Sequence, residues 1–463
     1  MLRLLRELIP VSVLTLLVSE FVLYGSCFVL ASFIVLEVDP TVFLLYDGGL
    51  GRIVVAVLSI LLGLYFHDLY SQFLVKSRVL LLQQSCQVIG IAFLIQALLS
   101  YGSADWMLPR WLMMLGSGLT LVAMLAWRIT YSSVVLRAMG EARVLFLGDN
   151  SLVREMVAQI AEQPELGLKV VGYLDEGLSP DCDWQGATRL GSVELLRDVA
   201  GQVKPDRIVV GMRERRQRLP VSDLLDLRLS GVRVEEAATM FEAICKRIAL
   251  KDLRPGQFIF SADLGPRPGS ILFRSAYSGL VALTGTLLTL PLMAAAAIAI
   301  KLTSAGPVLF RQTRVGLHGR PFTLYKFRSM YQDAEVSTGA VWATRDDPRV
   351  TPLGRWLRRL RLDELPQFFN VLRGEMVIVG PRPERPEFVS TLTDEVPYYG
   401  QRNWVKPGIT GWAQINHKYG DTVEDSVKKL EYDLYYIKNM SLALDLFIIF
   451  HTVKTMLLSR GAQ

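Results

Sequence analysis

Two chemically versatile side chains are nearly absent. In 463 residues there are four cysteines and four histidines. Cys27 and Cys86 lie in apolar runs, Cys182 and Cys245 stand alone, and no Cys-x-x-Cys spacing occurs, which argues against a zinc site or a disulfide framework. His67, His318, His417 and His451 are too scattered for a histidine-rich metal site. No Gly-x-Gly-x-x-Gly fingerprint follows a strand-like segment, and no Tyr-x-x-x-Lys pair occurs. The net charge is +6, but its basic residues accompany apolar segments and no binding motif, so nucleic acid is a poor candidate partner. Anionic lipid heads or phosphorylated ligands suit it better.

Apolar residues, by contrast, make up 51% of the chain, which is high for a soluble enzyme and points to membrane segments. Residues 8–36, 51–66, 79–100 and 107–127 form four apolar runs. Each is near the ~20 residues that span a bilayer, although 51–66 is short unless extended to about Leu69. The first is too long for a signal peptide, and no small-residue cleavage site follows it. Arg3 and Arg6 precede the first run, Lys76 and Arg78 separate the second from the third, and Arg128, Arg137 and Arg143 follow the fourth. The intervening loops carry Glu37, Asp39, Asp47 and Asp105, with Arg52 the exception. Basic residues mark the cytoplasmic side. Residues 1–135 are therefore expected to form a four-helix transmembrane domain with both ends in the cytoplasm, rather than a buried bundle in a soluble protein.

From Ala142 the pattern changes to short apolar strands alternating with helices. RVLFLGDN, a helix over 151–163, KVVGYLDE, a helix near 192–201, and DRIVVGM predict a Rossmann-like α/β domain over 141–247 with a parallel sheet. After the first strand comes Gly148-Asp149-Asn150-Ser151, so Asp149 puts a carboxylate where a pyrophosphate would sit. A dinucleotide is not expected there, and the domain is a candidate regulatory, dimerising or positioning module. Residues 248–270, rich in Pro and Gly, read as a linker. Tyr277 to Ile300 is a fifth apolar segment, interrupted by Pro291, which removes a helical hydrogen bond and can bend the helix. Between Lys301 and Arg361 there are 12 Lys/Arg against 4 Asp/Glu, and Arg267 and Arg274 precede the segment. A re-entrant helix over 275–301, entering and leaving on the cytoplasmic side, is the expected arrangement. A Thr289 hydroxyl is a candidate donor to the carbonyl that Pro291 frees.

The stretch Arg355 to Pro383 carries the chemistry. Arg355, Arg358, Arg359 and Arg361 lead into Asp363-Glu364, then a short apolar helix, then Gly380-Pro381-Arg382-Pro383. Pro366 suits a first helical turn and Gly374 a stop. Asp363 and Glu364 therefore sit at a helix start, where two adjacent carboxylates converge best and phosphate oxygens are welcome. Paired carboxylates there suit Mg²⁺ bridged to a diphosphate, or a nucleophile that becomes an acyl phosphate, with arginines neutralising the phosphoryl charge. The blander reading is a pair of ordinary helix-start acids. Upstream, Arg311, Arg314, Lys326 and Arg328, with Gly316 and Gly319 between them, form a basic block that reads as a wall for phosphates or as a surface touching anionic lipid.

Three blocks together resemble the bacterial sugar transferase family, the polyprenyl-phosphate glycosyl-1-phosphate transferases that begin exopolysaccharide and O-antigen units. They are RQTRVGLHGRPFTLYKFRSM (311–330), LRRLRLDELPQFFNVLRGEMVIVGPRPERPEF (357–388) and QRNWVKPGITGWAQI (401–415). The likeness covers about residues 270–463, and the layout resembles the large, exopolysaccharide-associated form. It implies a multidomain membrane protein: an α-helical transmembrane bundle, a Rossmann-like central domain, and a mainly α catalytic domain (271–463) with the re-entrant helix, where the family commonly has Ser before the proline and this chain has Leu290. The implied reaction moves a sugar-1-phosphate from a UDP-sugar to undecaprenyl phosphate at the cytoplasmic face of the bacterial inner membrane, releasing UMP. Asp363 is implied as nucleophile, Glu364 as its partner on Mg²⁺ or the acceptor, and Arg358 as orienting the pair. Lys326 and Arg328 belong to the family core, Arg382 is implied as a phosphate contact, and Arg402 and Lys406 line the nucleotide side. The rivals are a membrane-attached nucleotide-sugar dehydratase or epimerase, whose NAD fingerprint is missing, and a non-catalytic assembly scaffold, which leaves the carboxylates and arginines without purpose. A homodimer through the central domain is the candidate assembly.

Overall fold

The structure is a computed structural model that describes residues 11–37, 39–67, 69–70, 78–102, 107–132, 141–176, 187–212, 219–250, 268–332, 334, 347–417 and 422–457. The chain divides into two compact units, Met1–Glu235 and Glu236–Gln463. The linker expected over 248–270 lies largely outside the described residues, as do Arg3, Arg6, Lys76, Arg137 and Arg267.

The first unit opens with helices α1 (Val11–Val35), α2 (Pro40–Leu45), α3 (Gly49–Phe66), α4 (Arg78–Gly102) and α5 (Arg110–Thr130). Among the described residues five helices are long and apolar enough to cross a membrane: Val13–Val35, Gly49–Phe66, Leu81–Leu99, Arg110–Thr130 and, in the second unit, Ile271–Thr303. In the bundle α1 packs on α5 and α3. Gly116 permits the first of these contacts, since any Cβ there would collide with the Phe28 ring. The bundle also corrects one reading. Arg128, counted above as a loop cation after the fourth run, lies inside α5 at 2% exposure. Its Nε donates to Glu20 Oε1 at 2.7 Å and its Nη1 to the Leu69 carbonyl at 2.9 Å, while Tyr70 donates to Glu20 Oε2 at 2.6 Å. A charge in an apolar interior persists only with such a partner.

The rest of this unit comprises β1 (Ala142–Leu147), α6 (Ser151–Glu162), β2 (Leu168–Leu174), β3 (Arg189–Gly191), α7 (Leu196–Val203), β4 (Arg207–Val210), α8 (Val221–Leu229) and β5 (Arg233–Glu236). The sheet order is β3-β2-β1-β4-β5, with β1 parallel to β2 and β4, and β2 parallel to β3. The fully buried run Val144–Leu147 explains why β1 lies in the middle. At the start of α6, Asn150 Oδ1 accepts from Val153 N at 2.7 Å, and Asp149 pairs with Arg154 at 2.5 Å. The helix terminus that would meet a pyrophosphate is thus capped by the chain's own side chains.

The second unit contains α9 (Ala237–Cys245), α10 (Pro268–Thr303), β6 (Leu309–Val315), β7 (Pro321–Phe327), α11 (Pro352–Arg359), α12 (Gln367–Leu372), β8 (Val377–Val379), α13 (Pro386–Glu395), β9 (Gly408–Thr410), α14 (Trp412–Asn416), α15 (Val423–Lys438) and α16 (Leu442–Leu457). It is mainly helical, with an antiparallel β6–β7 hairpin and a parallel β8–β9 pair that the sequence reading did not identify. Pro291 lies inside α10. The Thr289 hydroxyl does not go to the Leu287 carbonyl, the one a proline at 291 leaves without its usual donor; it donates to Gly285 at 2.7 Å. Arg274, expected as a flanking cation, is buried and paired with Asp445 at 2.6 Å. Tyr436 joins this cluster and donates to the Val379 carbonyl at 2.8 Å, so α10, α15 and α16 together grip the end of β8. Gly285 adds a close approach of α10 to α12, against the Phe368 ring.

Candidate active site

The β6–β7 hairpin does the first gathering. Its register pairs Phe310 with Lys326, Gln312 with Leu324 and Arg314 with Phe322. Side chains alternate faces along a strand, so Gln312, Arg314 and Lys326 share one face. Asn370, fully buried on α12, locks that helix to β7: its Oδ1 accepts from Tyr325 N at 3.1 Å, and its Nδ2 donates to the Thr323 carbonyl at 2.7 Å. Thr351 caps α11 by accepting from Gly354 N at 2.9 Å. A side chain at Gly354 would collide with the Ser329 carbonyl. This close packing lets Arg358 Nε donate to Ser329 Oγ at 3.1 Å. Arg361 then turns the chain at φ 56°, a left-handed conformation unusual for a non-glycine residue. Leu362–Glu364 follow as one tight 3₁₀ turn, and Pro366 sits at the N-terminal boundary of α12.

The two carboxylates of that turn have different surroundings. Glu364 Oε1 is 2.9 Å from Lys326 Nζ and 3.2 Å from Arg382 Nη2, and its Oε2 is 3.9 Å from Arg361 Nη1. Burial opposes its charge, but Lys326, Arg382 and Arg361 outweigh burial and hold the carboxyl well below its ordinary 4.5. Asp363 is 7% exposed, and its Oδ1, closed from solvent, has no hydrogen-bond partner among the described residues. Burial and then the Glu364 charge push its carboxyl above the ordinary 3.8, against the pull of Lys326, Arg358 and Arg361. One acid is therefore clamped as an anion, and the other is left without a donor.

Both line a cavity of about 940 Å³, together with Arg311, Arg314, Lys326, Arg328, Arg358, Arg382 and Arg402. Arg328 is buried. Its Nη2 donates to Ser304 O and Oγ, both at 2.8 Å, while Nε and Nη1 have no partner among the described residues. Arg314 Nη1 donates to the Pro383 carbonyl at 3.0 Å and holds the Gly380–Pro383 turn in place. Arg402 Nη2 donates to the Arg382 carbonyl at 2.9 Å and lies 2.8 Å from Asp433 Oδ2. Lys406 stands apart from the cavity wall, its Nζ lying beside Gly374. Pro291 is likewise not on the wall. Arg361, of the arginine run expected to neutralise phosphoryl charge, also lines the cavity, as do Gln414, His417 and Asp433, to which the sequence reading assigned no site role. Asp433 sits five residues from Lys438 inside a helix that looked merely amphipathic, and only packing reveals it.

Burial raises the Asp433 carboxyl from 3.8 to about 6, with Arg402 opposing. A raised folded-state value means the native protein binds more protons than the unfolded chain between these limits. The stability from this group is full below 3.8 and is lost as pH rises through about 6. Thermal unfolding of Asp433→Asn in detergent is expected to lack that component, falling less than wild type between pH 4 and pH 6.5. Equal pH slopes would show that Asp433 titrates normally.

A membrane-attached unit with a cation-lined cavity around a carboxylate dyad belongs to the phosphate-handling class, and comparison with known sequences narrows this. Residues 270–459 match the family model described as bacterial sugar transferase. A UDP-glucose:undecaprenyl-phosphate glucose-1-phosphate transferase of Caulobacter vibrioides is 42% identical over 216 residues, 43% of this chain and 80% of the relative. A UDP-N-acetylgalactosamine-undecaprenyl-phosphate N-acetylgalactosaminephosphotransferase of Aeromonas hydrophila is 44% identical over 235 residues, 51% of this chain and 55% of the relative. An undecaprenyl-phosphate glucose phosphotransferase of Komagataeibacter xylinus is 37% identical over 330 residues, 69% of this chain and 60% of the relative. The chain belongs to the bacterial sugar transferase family. It spans little more than half the length of the Aeromonas and Komagataeibacter relatives.

Proposed function

We propose that this protein transfers a sugar-1-phosphate from a UDP-sugar to undecaprenyl phosphate. In the first step Asp363 attacks the phosphorus that bears the sugar, the P–O bond to the uridine side breaks, and UMP leaves with the bond's electron pair. In the second, an oxygen of the lipid phosphate attacks the same phosphorus and the Asp363 carboxylate departs, leaving undecaprenyl-diphosphate-sugar. The single observation that carries this reading is the asymmetry of the dyad. Glu364 is held by Lys326, Arg382 and Arg361, while the neighbouring carboxyl has an oxygen with no donor among the described residues, on a cation-lined wall. Arg328, with two unengaged donor nitrogens among the described residues, supplies charge for phosphate oxygens. The names of the relatives, which specify UDP-sugars and undecaprenyl phosphate, support the choice of donor and acceptor.

Asp363 and Glu364 are the carboxylates that would hold Mg²⁺: Asp363 Oδ1 is unengaged among the described residues, while Glu364 would have to give up its contact with Lys326 or Arg382. Bound there, the ion would neutralise diphosphate charge. The membrane geometry belongs to the same reading: α10 bends at Pro291 and returns to the cytoplasmic face of the bacterial inner membrane, bringing the cavity level with the lipid phosphates. The central α/β domain is of the Rossmann type without a dinucleotide. The test is a panel of radiolabelled UDP-sugars with undecaprenyl phosphate and the full chain in lipid nanodiscs. One or more sugars are expected to yield UMP and labelled lipid in equal amounts. Excess EDTA is expected to stop turnover, and Mg²⁺ to restore it. A chain that releases no UMP from any UDP-sugar is not this enzyme; full activity in EDTA removes the metal from the reading.

A further inference from the structure

The β8–β9 pair runs parallel, with Val377 opposite Gly408 and Val379 opposite Thr410. Each strand is followed three residues on by a residue of the cavity wall, Arg382 after Val379 and Ala413 after Thr410. Beyond β8 lies the Gly380–Pro383 turn with Arg382, and beyond β9 lie Gly411 and α14 with Gln414. Ligands collect outside the carboxyl ends of parallel strands. Here the two exits are pressed together, because a Cβ at Gly411 would collide with the Gly380 carbonyl. Arg382 and Gln414 therefore border the same cavity from two adjoining chain turns.

Gln414 Nε2 donates to the Ile409 carbonyl at 3.3 Å, and this sets which end of the amide is nitrogen. Its Oε1 is closed from solvent and has no partner among the described residues. Of the neighbouring groups, His417 is engaged with Asp425 at 3.0 Å, while Asp433 Oδ2 lies 2.8 Å from Arg402 without hydrogen-bond geometry, and as a carboxylate it offers no donor to set beside its acceptor. Gln414 thus keeps one empty, enclosed acceptor and one remaining N–H at the edge of the cavity. The imide edge of uracil presents the complement, an N3–H donor flanked by carbonyl acceptors. Cytosine reverses the pattern, with an acceptor at N3 and a donor at its exocyclic amine. Held in the same pose, cytosine would set its N3 acceptor against Oε1 and its amine donor against the remaining N–H. Sugar hydroxyls both donate and accept, and need no such fixed amide.

We propose that Gln414 reads the base of the donor nucleotide, pairing its amide with uracil and rejecting cytosine; the choice of a nucleoside-diphosphate donor rests on the transfer reaction proposed above. The test is equilibrium binding of UMP and CMP to the full chain in nanodiscs, which requires neither turnover nor lipid acceptor. Wild type is expected to bind UMP about tenfold or more tighter than CMP. Gln414→Leu is expected to weaken UMP by about tenfold and leave CMP unchanged. Gln414→Glu, which keeps an acceptor but cannot donate, should lose part of the preference; it carries the test if the Leu variant fails to fold. Unchanged UMP affinity in Gln414→Leu overturns the assignment, as does equal loss of UMP and CMP. So does an altered ranking of UDP-glucose, UDP-galactose and UDP-N-acetylgalactosamine with UMP binding intact, which would make Gln414 a sugar contact. A chain that discriminates UMP from CMP yet transfers no sugar phosphate would sink the reaction and leave the base reader standing; active transfer without discrimination would do the reverse.

Discussion

Asp363→Asn is expected to lower kcat for sugar-phosphate transfer by about four orders of magnitude or more, the scale on which covalent enzymes respond to loss of a nucleophile. The substitution keeps the shape and removes only the carboxylate proposed to attack. It strands no cation, because Lys326 and Arg382 are paired with Glu364. The variant should therefore fold, enter membranes and still bind its nucleotide. Two measurements check this: UMP release with undecaprenyl phosphate, and the mass of the peptide containing residue 363 after brief exposure to a UDP-sugar. Wild type should carry one sugar-phosphate on that peptide and the variant none. A variant that turns over within tenfold of wild type, or a label found on another residue, would end the nucleophile assignment.

Glu364→Gln should cost roughly a hundredfold in kcat, the usual scale for loss of one preorganised electrostatic contact. Its more specific signature is in pH. The attacking form of Asp363 is the anion, so activity climbs as pH rises through the Asp363 pKa. Burial raises that value, and the Glu364 charge raises it further, while Lys326, Arg358 and Arg361 lower it. Removing the Glu364 charge takes away one raising influence and also frees Lys326 and Arg382 from their partner. The acid limb of the rate profile must then move to lower pH. A limb that stays in place, or moves upward, would show that the two carboxyls are not electrostatically linked.

Much of this molecule can be read from local pattern alone. The four long apolar runs correspond to α1, α3, α4 and α5, and the strand-helix alternation after Ala142 corresponds to β1, α6, β2, α7 and β4. Bilayer-length hydrophobic runs and short apolar strands are properties of consecutive residues, so chain order suffices to reveal them. The dyad was legible for a similar reason, since Asp363 and Glu364 are neighbours between an arginine run and a helix start.

Contacts across long separations were not legible. Lys326 and Glu364 are 38 residues apart, Glu20 and Arg128 are 108 apart, and no local period announces either pair. The β6–β7 hairpin was hidden because its alternation carries Arg and Gln where a half-buried strand usually carries apolar residues. Arg128 shows the limit most clearly: in sequence it closes an apolar run and looks like a loop cation, but folding buries it and supplies Glu20 as its partner. Composition and local pattern determined a membrane protein with an acidic pair beside an arginine run, because these follow from which residues are adjacent. Which carboxylate is clamped and which is left open was decided by the tertiary structure alone, because a buried group takes its charge state from the partners that folding brings within hydrogen-bond distance.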